Sequence, residues 1–430
     1  MIKIILKTFG SKFFSIIVSF GVVILTTQTL GAEGRGMISI VTATIGMIGL
    51  ICGFTGGSAL VFVLPRQNQR LVLGIAYLGN IGLGVLAAFG CMVFGLYDKS
   101  LLGIVLALSI LNAFLNTNTN GLIANGRINK ANIAGILNSG SIFIAFFAFT
   151  IVVRWRSPIA YFLSMGCALG AAFLFSGYSL LDKLVNRKIS WDARAFGRAV
   201  KVTVITGFMA QLCNVIQYLN YRLSFYFLDS LFGKADTGIY SIGVTLAEAV
   251  WMMSSSIALL QYSSIANCDD IEYSKTLTLK MAKLSFISTS LIMMPLLMLP
   301  AGFYSLIFGH DFSTVKIVLL FQAPGIVLFS LNIIIASFYA GRGRYWVNAA
   351  ASLTGLVVSV AANVWIVPRL GYQGASIAST LSYSASTIFA VTYFLRDTSL
   401  PLKNLLVGKA DIEYVALIVK HFYSKMTSRC

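Results

Sequence analysis

Two charged side chains, Arg222 and Glu248, lie inside long apolar segments near the middle of the chain. A charge at membrane depth is costly and normally faces a protein interior or a water-filled cavity. At 100° per residue, the polar residues near Arg222 share an arc of about 140° of one helix; they are Gln211, Asn214, Gln217, Tyr218 and Tyr221. Near Glu248, polar residues share a face in the same way. These two polar faces predict the lining of a central cavity.

Each of the two charges also has a plainer interpretation. Arg222 lies seven residues before Asp229, and its side chain is long enough to snorkel to the outer membrane interface. Glu248 lies about eleven residues from the start of its helix, close to the midplane, where a structural ion pair with an arginine such as Arg222 would satisfy it. The sequence leaves these alternatives open.

A glycine-rich turn in the first half of the chain holds a second arginine. Arg35 and Glu33 lie among Gly31, Gly34 and Gly36, just before a predicted helix. Glycines allow close backbone approach, and a helix N-terminus attracts anions, so the turn is a candidate phosphate site. An ordinary outer turn with a Glu33–Arg35 pair is the alternative.

Three asparagines recur at every fourth position of another predicted helix, so that they share one face. They are Asn112, Asn116 and Asn120. Either they form hydrogen bonds between helices, or they form a polar stripe that faces a sugar. The run of small residues at 53–59 is interpreted as a surface for close helix packing.

Motifs of known enzymes are missing from the sequence. The two histidines, His310 and His421, fall in a loop and in the tail, and there is no HExxH, no Walker motif and no Ser/His/Asp set at membrane depth. The cysteines form no CxxC motif and are interpreted as small core residues. We therefore expect a protein that is not an enzyme and that has no metal site and no cofactor.

Composition identifies the elements that position these residues. The chain has 430 residues, of which 57% are hydrophobic and 11% charged, against about 25% charged in soluble domains. A helix of about 20 apolar residues spans a bilayer, and charge-free runs of this length predict an all-α integral membrane protein with about twelve transmembrane helices. The predicted spans lie near 13–31, 37–64, 71–96, 101–123, 132–153, 159–181, 203–228, 237–262, 284–307, 317–340, 346–367 and 374–395.

Positive charge is unevenly distributed between the predicted loops. The net charge is +18, and 24 of the 32 Lys and Arg residues fall on the side that holds both termini, against seven on the other. By the positive-inside rule, both termini are cytoplasmic. The basic excess is thus a membrane-orientation signal, and nucleic acid is not an expected partner.

A short pattern occurs in both halves of the chain. The turn at residues 31–40 matches the turn at 233–242 at an offset of 202, and residues 370–378 contain a partial third copy. Repeats of this kind mark transporters built from related halves. We predict two six-helix lobes, 1–190 and 191–395, related by a pseudo-two-fold axis. The basic tail, 396–430, is either an interfacial amphipathic helix or a solvated segment.

Four segments together resemble a known family: LGAEGRGMISI (30–40), GGSALVFVLPR (56–66), the stretch 219–251 and LGYQGASIAST (370–380). In this order they are similar to the polysaccharide biosynthesis protein family, the O-antigen-type lipid-linked oligosaccharide flippases of the multidrug/oligosaccharidyl-lipid/polysaccharide exporter superfamily. The resemblance implies a MATE-like V-shaped bundle of two lobes around a cationic cavity. It also implies alternating-access export of an undecaprenyl-pyrophosphate-linked oligosaccharide across the bacterial inner membrane, for surface polysaccharide synthesis.

Carried over by position, the resemblance assigns substrate contacts to Glu33, Arg35, Arg222 and Glu248. Family members often have an acidic residue soon after the arginine of the LNYR segment, whereas here Asp229 comes later. The lipid-linked oligosaccharide and membrane lipids are the implied partners; the polysaccharide polymerase, a chain-length regulator and a coupling H+ or Na+ ion are further candidates. The alternatives are an ion-coupled small-molecule exporter of the same superfamily and, disfavoured by the missing catalytic set, a membrane-embedded transferase.

Overall fold

The computed structural model describes residues 2–184, 193–268, 270–405 and 408. Over these residues the chain is helical and contains no β-strand, which confirms the predicted all-α class. The helices are α1 (Ile2–Gly56), α2 (Leu60–Val63), α3 (Gln69–Val93), α4 (Leu102–Ala124), α5 (Ile128–Phe147), α6 (Pro158–Leu184), α7 (Ala193–Phe232), α8 (Lys234–Ala266), α9 (Ile271–Met298), α10 (Ala301–Phe308), α11 (Val315–Gly341), α12 (Tyr345–Trp365) and α13 (Val367–Thr398).

Helix α1 contains the first two predicted spans in one bent element. Gly31 has a φ of +66°, a left-handed conformation that glycine adopts readily because it has no Cβ atom. The chain changes direction at this one residue, so the predicted turn at 31–40 is a kink at its first residue rather than a loop. Helix α13 bends in the same way at Gly371, where φ is +55°.

Nine helices in the described part of the chain are long and apolar enough to cross a membrane. One of them, Gly10–Val63, has 54 residues, which is about 80 Å at 1.5 Å per residue, against a hydrocarbon thickness of about 30 Å. Its bend at Gly31 therefore separates two spans. Helices α7 and α13 are not among the nine, but their 40 and 32 residues suffice to span a bilayer. The protein is thus a multi-pass membrane protein. Its helices are consistent with twelve spans, and the exact number of spans stays a prediction.

The described residues pack into two units. The first comprises those of 1–238 together with 305–312, and the second those of 239–304 and 313–430. Helix α7 belongs to the first unit, because it packs along α1. The boundary between the predicted six-helix lobes stays a prediction, and the predicted helix of the basic tail lies outside the described residues.

Each unit has a core of its own. In the first, α2, α3, α4 and α6 meet around fully buried aliphatic side chains such as Val72 and Leu122. In the second, α8, α11 and α13 meet where the indole ring of Trp251 contacts the rings of Phe329 and Tyr383. These cores hold the helices that carry the polar faces.

A short segment at the end of α10 covers the bend in α1. The carboxylate of Asp311 accepts a hydrogen bond from the backbone N–H of Ala32 at 3.1 Å. The side chain of Gln28 donates to the carbonyl of Ile307 at 2.8 Å. Because Ala32 begins the second part of α1, Asp311 acts as an N-cap supplied from a distant part of the chain. These tertiary contacts therefore stabilise the bend in addition to the conformation of Gly31.

The glycines of the two matching turns lie against each other's helices. An ideal Cβ atom on Gly36 would be 1.8 Å from the carbonyl oxygen of Lys234, and one on Gly238 would be 2.0 Å from that of Ala32. Lys234 and Ala32 are themselves 202 residues apart, so the contact is reciprocal and follows the sequence repeat. Only glycine allows two backbones to approach this closely.

Candidate substrate cavity

Helix α7 turns its predicted polar face toward the second part of α1. The hydroxyl of Tyr218 donates to the carbonyl of Ala43 at 2.8 Å, and the hydroxyls of Tyr226 and Thr44 lie 3.3 Å apart. Because the two tyrosines are about two turns apart on α7, these bonds fix the rotation of the helix about its own axis.

Glycines form the surface of α1 that α4 and α7 approach. Four of them, at spacings of three and four residues, share one side of the helix: Gly46, Gly49, Gly53 and Gly56. The amide nitrogen of Asn112 lies 3.0 Å from the Cβ position of Gly49, and that of Gln211 lies 3.0 Å from the Cβ position of Gly53. The missing side chains leave open space over this surface of α1.

A cavity of about 410 Å³ occupies that space, between α1, α4 and α7 in the first unit. Its walls carry the side chains of Asn80, Asn112, Asn116, Asn120, Gln211 and Asn214, together with Tyr218. The structure therefore brings together four of the predicted site residues, Gln211, Asn214, Tyr218 and Asn116. Among the described residues, no charged side chain lines the cavity.

The asparagine stripe of α4 faces this cavity. Asn112 and Asn120 are half-buried, and Asn116 is exposed. Their side-chain amides make no hydrogen bond with any group in the part of the chain that the structure describes. A primary amide carries two donor hydrogens and an acceptor oxygen, so the stripe offers hydrogen-bonding capacity that only water or a ligand can use.

Neighbouring residues of α4 make the bonds between helices. The amide of Asn80 donates to the hydroxyl of Thr117 at 2.8 Å, and the amide of Asn118 donates to the hydroxyl of Ser176 at 3.1 Å. Thr117, Asn118 and Ser176 are fully buried. The hydrogen bonds between helices are thus made by the residues beside the asparagine stripe, while the stripe itself faces the cavity.

Arg222 lies one helical turn beyond Tyr218 on α7. Its guanidinium carbon is 5.9 Å from the centre of the Tyr218 ring and 5.2 Å from that of Phe225, and the residue is half-buried. Such contacts stabilise a cation by about 0.5–1 kcal/mol at exposed sites and by about 2 kcal/mol when desolvated. Two aromatic rings therefore hold the cation one helical turn from the side-chain amides that line the cavity, called the amide walls below.

Arg35 and Glu33 lie at the bend in α1, apart from the amide walls. Arg35 is half-buried and makes a long hydrogen bond of 3.5 Å to the hydroxyl of Thr26, while Glu33 is exposed. Gln217 is half-buried on α7 and is not one of the residues that line the cavity. A shared site for these residues and the amide walls stays a prediction.

Glu248 lies on α8 in the second unit and is half-buried. On the next turn, the indole N–H of Trp251 donates to the carbonyl of Ile326 at 3.0 Å, which fixes this part of α8 against α11. A contact between Glu248 and a substrate stays a prediction.

Charged residues cluster where α7 meets α8. The ammonium group of Lys234 lies 3.8 Å from the carboxylate of Asp98. Burial raises the pKa of the Asp229 carboxyl group, and the positive charge of Lys234 offsets part of this rise. The Oδ1 atom of Asp229 has no hydrogen-bond partner among the described residues. The surroundings of Asp229 therefore raise the pH at which its carboxyl group loses its proton.

Sequence reasoning misses the glycine surface of α1 and the amide of Asn80. The run at 53–59 is predicted to serve helix packing, yet Gly53, Gly56 and Gly57 line the cavity. These glycines share a helix face with Gly46 and Gly49, and this periodicity could have predicted the glycine surface. Asn80 is the one amide in the apolar part of α3, and no sequence pattern marks it. The described residues contain no group of three or more His, Cys, Asp or Glu side chains that could hold a metal ion.

Two curated relatives are similar to parts of the chain, and no family model matches it. The probable low-salt glycan biosynthesis flippase Agl15 of Haloferax volcanii is 26% identical over 133 residues, which cover 29% of this chain and 28% of that protein. The capsular polysaccharide biosynthesis protein CapF of Staphylococcus aureus is 23% identical over 241 residues, which cover 55% and 59%. The chain thus spans less than two thirds of the length of either relative.

Solved structures match the chain over most of its length. The lipid II flippase MurJ in an inward closed conformation superimposes with a TM-score of 0.74 at 14% identity, covering 100% of this chain and 99% of that one. An inward-facing multidrug resistance MATE family transporter of the MOP superfamily superimposes with a TM-score of 0.64 at 12% identity, covering 88% and 94%. At this identity the likeness shows the fold. The predicted resemblance is confirmed in these terms: the chain has the fold of MurJ and the MATE transporters, and its sequence relatives are named as a glycan biosynthesis flippase and a capsular polysaccharide biosynthesis protein.

Proposed function

We propose that the protein is a flippase that moves an undecaprenyl-pyrophosphate-linked oligosaccharide from the cytoplasmic to the outer leaflet of the bacterial inner membrane by alternating access. The observation that carries the proposal is an amide-lined cavity within a membrane bundle, with Arg222 one helical turn from its wall. A polar cavity suits the head group, while the surrounding bilayer suits the lipid tail. The names of the two sequence relatives support the same class of substrate.

Arg222 supplies the charge that a pyrophosphate needs in a low-dielectric layer. An unpaired ion there costs several kcal/mol even after relaxation. A guanidinium group offsets this cost, because it forms bidentate, charge-assisted hydrogen bonds with phosphate oxygens. Arg35, with Glu33 beside it at the bend of α1, is the second phosphate contact in this proposal.

The driving force follows from what the sequence lacks. Without a Walker motif, transport depends on a coupling ion such as H+ or Na+, on the membrane potential, or on consumption of the product outside. Glu248, a carboxylate on α8, is the residue proposed to take part in ion coupling. Both termini lie in the cytoplasm, and the polymerase and chain-length regulator act on the exported product.

Complementation of a flippase-deficient strain tests the proposal. We expect Arg222→Lys to retain partial function, because lysine still binds phosphate as a point charge. Arg222→Ala and Arg222→Gln should abolish surface glycan at normal membrane abundance, and Glu248→Gln should impair turnover more than binding. Arg66→Ala is the matched control, because Arg66 also lies over an aromatic ring, that of Phe62, at 3.7 Å.

Two outcomes would count against the proposal. Full complementation by Arg222→Ala would show that Arg222 does not contact the substrate. If the unmodified chain, expressed with the glycan genes of its own host, restored no surface glycan, the flippase function itself would be refuted.

An ion-coupled small-molecule exporter is the second candidate, favoured by the structural likeness to a multidrug resistance transporter. A carboxylate would stabilise an organic cation at membrane depth, and the walls of the cavity carry none among the described residues. Expression in a strain that lacks its own exporters distinguishes the two functions. Increased drug resistance without an effect on surface glycan would favour the exporter.

A further inference from the structure

The amide-lined cavity has the chemistry of a site for a neutral, hydroxyl-rich ligand. Over the described residues its polar walls carry mainly side-chain amides, with the hydroxyls of Tyr218 and Ser58 and the thiol of Cys52, and no charged group. An anion in this place would lose its hydration without gaining a counter-ion, which is strongly unfavourable. A sugar hydroxyl both donates and accepts, and an amide provides a donor and an acceptor side by side, so adjacent hydroxyls are a suitable partner.

The spacing of the asparagine stripe suits a ring-shaped ligand. Asn112, Asn116 and Asn120 recur every four residues, so their amides are about 6 Å apart along α4. This spacing is comparable with the width of a pyranose ring with its hydroxyls. Because the described chain engages none of the three amides, a ligand gains their hydrogen bonds without breaking others within the protein.

The opposite wall is preorganised by α7 and by the glycine surface. The amide of Asn214 donates to the side-chain oxygen of Gln211 at 3.0 Å. Gln211 is 5% exposed and lies against Gly53. Side chains that are already ordered lose little conformational entropy when a ligand binds. The α7 wall is therefore ordered before the ligand arrives.

Size and position indicate which part of a glycan enters the cavity. A volume of about 410 Å³ lies near the lower end of the roughly 300–1,000 Å³ of small-molecule sites, which suits one or two sugar rings. Tyr218 lines the cavity, and its ring lies 5.9 Å from the guanidinium carbon of Arg222. A phosphate at Arg222 thus places the sugar attached to it against the amides.

We propose that the amide-lined cavity binds the neutral sugar ring that adjoins the pyrophosphate, and that Asn116 and its neighbours recognise this ring rather than the distal glycan. The proposal rests on the proposed function, because a pyrophosphate at Arg222 anchors the sugar. It assigns recognition of the sugar to α1, α4 and α7, and recognition of charge to the next turn of α7.

Binding to the full chain in phosphatidylethanolamine–phosphatidylglycerol nanodiscs tests the assignment. The two probes are undecaprenyl pyrophosphate and undecaprenyl pyrophosphate that carries a single neutral N-acetylhexosamine. We expect the sugar-bearing lipid to bind about tenfold more tightly, since each net hydrogen bond contributes a factor of about two to twelve. Asn116→Ala should reduce this preference by about one such factor and leave the affinity for the bare lipid unchanged.

Matched variants control for indirect effects. Asn267→Ala removes an exposed amide that donates to the Ser263 carbonyl at 2.7 Å, and it should keep the preference. Gly49→Ala should lower the preference independently of Asn116, because the added Cβ displaces the Asn112 amide. Its control is Gly74→Ala, where an added Cβ meets no atom within 4 Å.

The outcomes separate this proposal from the proposed function. Equal affinity of the unmodified protein for the two lipids, or an unchanged preference in both Asn116→Ala and Gly49→Ala, would overturn the sugar site and leave the flippase function standing. If neither lipid bound to the unmodified protein, both proposals would fail. Arg222→Ala should weaken the binding of both lipids by the same factor.

Discussion

Replacing Gly36 or Gly238 with alanine tests whether the two matching turns share a single contact. The added Cβ atom would lie 1.8 Å from the carbonyl oxygen of Lys234 in the first variant and 2.0 Å from that of Ala32 in the second. Real Cβ atoms essentially never come within 3.0 Å of such atoms. Because both obstructing atoms are backbone, each substitution must separate the two helices by roughly 1 Å in a tightly packed interior.

The expected destabilisation follows from this displacement. Overpacking a well-packed site costs about 1–3 kcal/mol, and each single variant should lose that much free energy of unfolding. Separation of the helices relieves both clashes at once, because the two contacts are reciprocal. The double variant should therefore lose about as much as either single variant, and the two substitutions should couple by about 1–3 kcal/mol.

Equilibrium unfolding in mixed detergent micelles, titrated with sodium dodecyl sulfate and followed by tryptophan fluorescence, measures these free energies. Gly74→Ala, whose added Cβ meets no atom within 4 Å, should be neutral or stabilise the protein by about 0.4–1 kcal/mol. Additive losses in the double variant would show that the two contacts are independent. Unchanged stability in both single variants would refute the close approach itself.

Three further predictions concern contacts outside the cavity, each measured by the same unfolding experiment. Asp311→Ala removes the cap of the Ala32 N–H and should cost about 0.5–2 kcal/mol; Asp311→Asn keeps an acceptor oxygen and should cost less, so equal losses would contradict the capping role. Burial raises the pKa of Asp229, so the folded protein binds this proton more tightly than the unfolded chain does. The free energy of unfolding therefore falls as pH rises from the unfolded pKa of about 3.9 through the folded value. Asp229→Asn should be more stable than the unmodified protein at pH 7 but not at pH 3, and an equal difference at both pH values would contradict this. The guanidinium of Arg344 lies 2.7 Å from the Asp397 carboxylate, and a double-mutant cycle of the two alanine variants should give a coupling of about 0.5–1 kcal/mol that falls with salt; no coupling at low salt would show that the pair contributes nothing.

The sequence by itself determines the helix class and the faces that the helices present. A charge-free run of about 20 residues that crosses a bilayer is expected to be helical, because in an α-helix a single segment satisfies its own backbone hydrogen bonds. Helical periodicity then places Gln211, Asn214 and Tyr218 on one side of α7, and all three line the cavity. The same argument places Asn116 on one face of α4 with its two neighbours.

Only the tertiary structure decides what each face meets. Periodicity states which residues share a side of a helix, but it carries no information on the helix packed against that side. The asparagine stripe of α4 has the same spacing whether it faces a helix or a cavity, and the packing of α1 and α7 makes it face a cavity. In the same way, Asp311 caps Ala32 from a position 279 residues away. Contacts between residues so distant in the chain depend on how whole helices pack, and no local pattern records that arrangement.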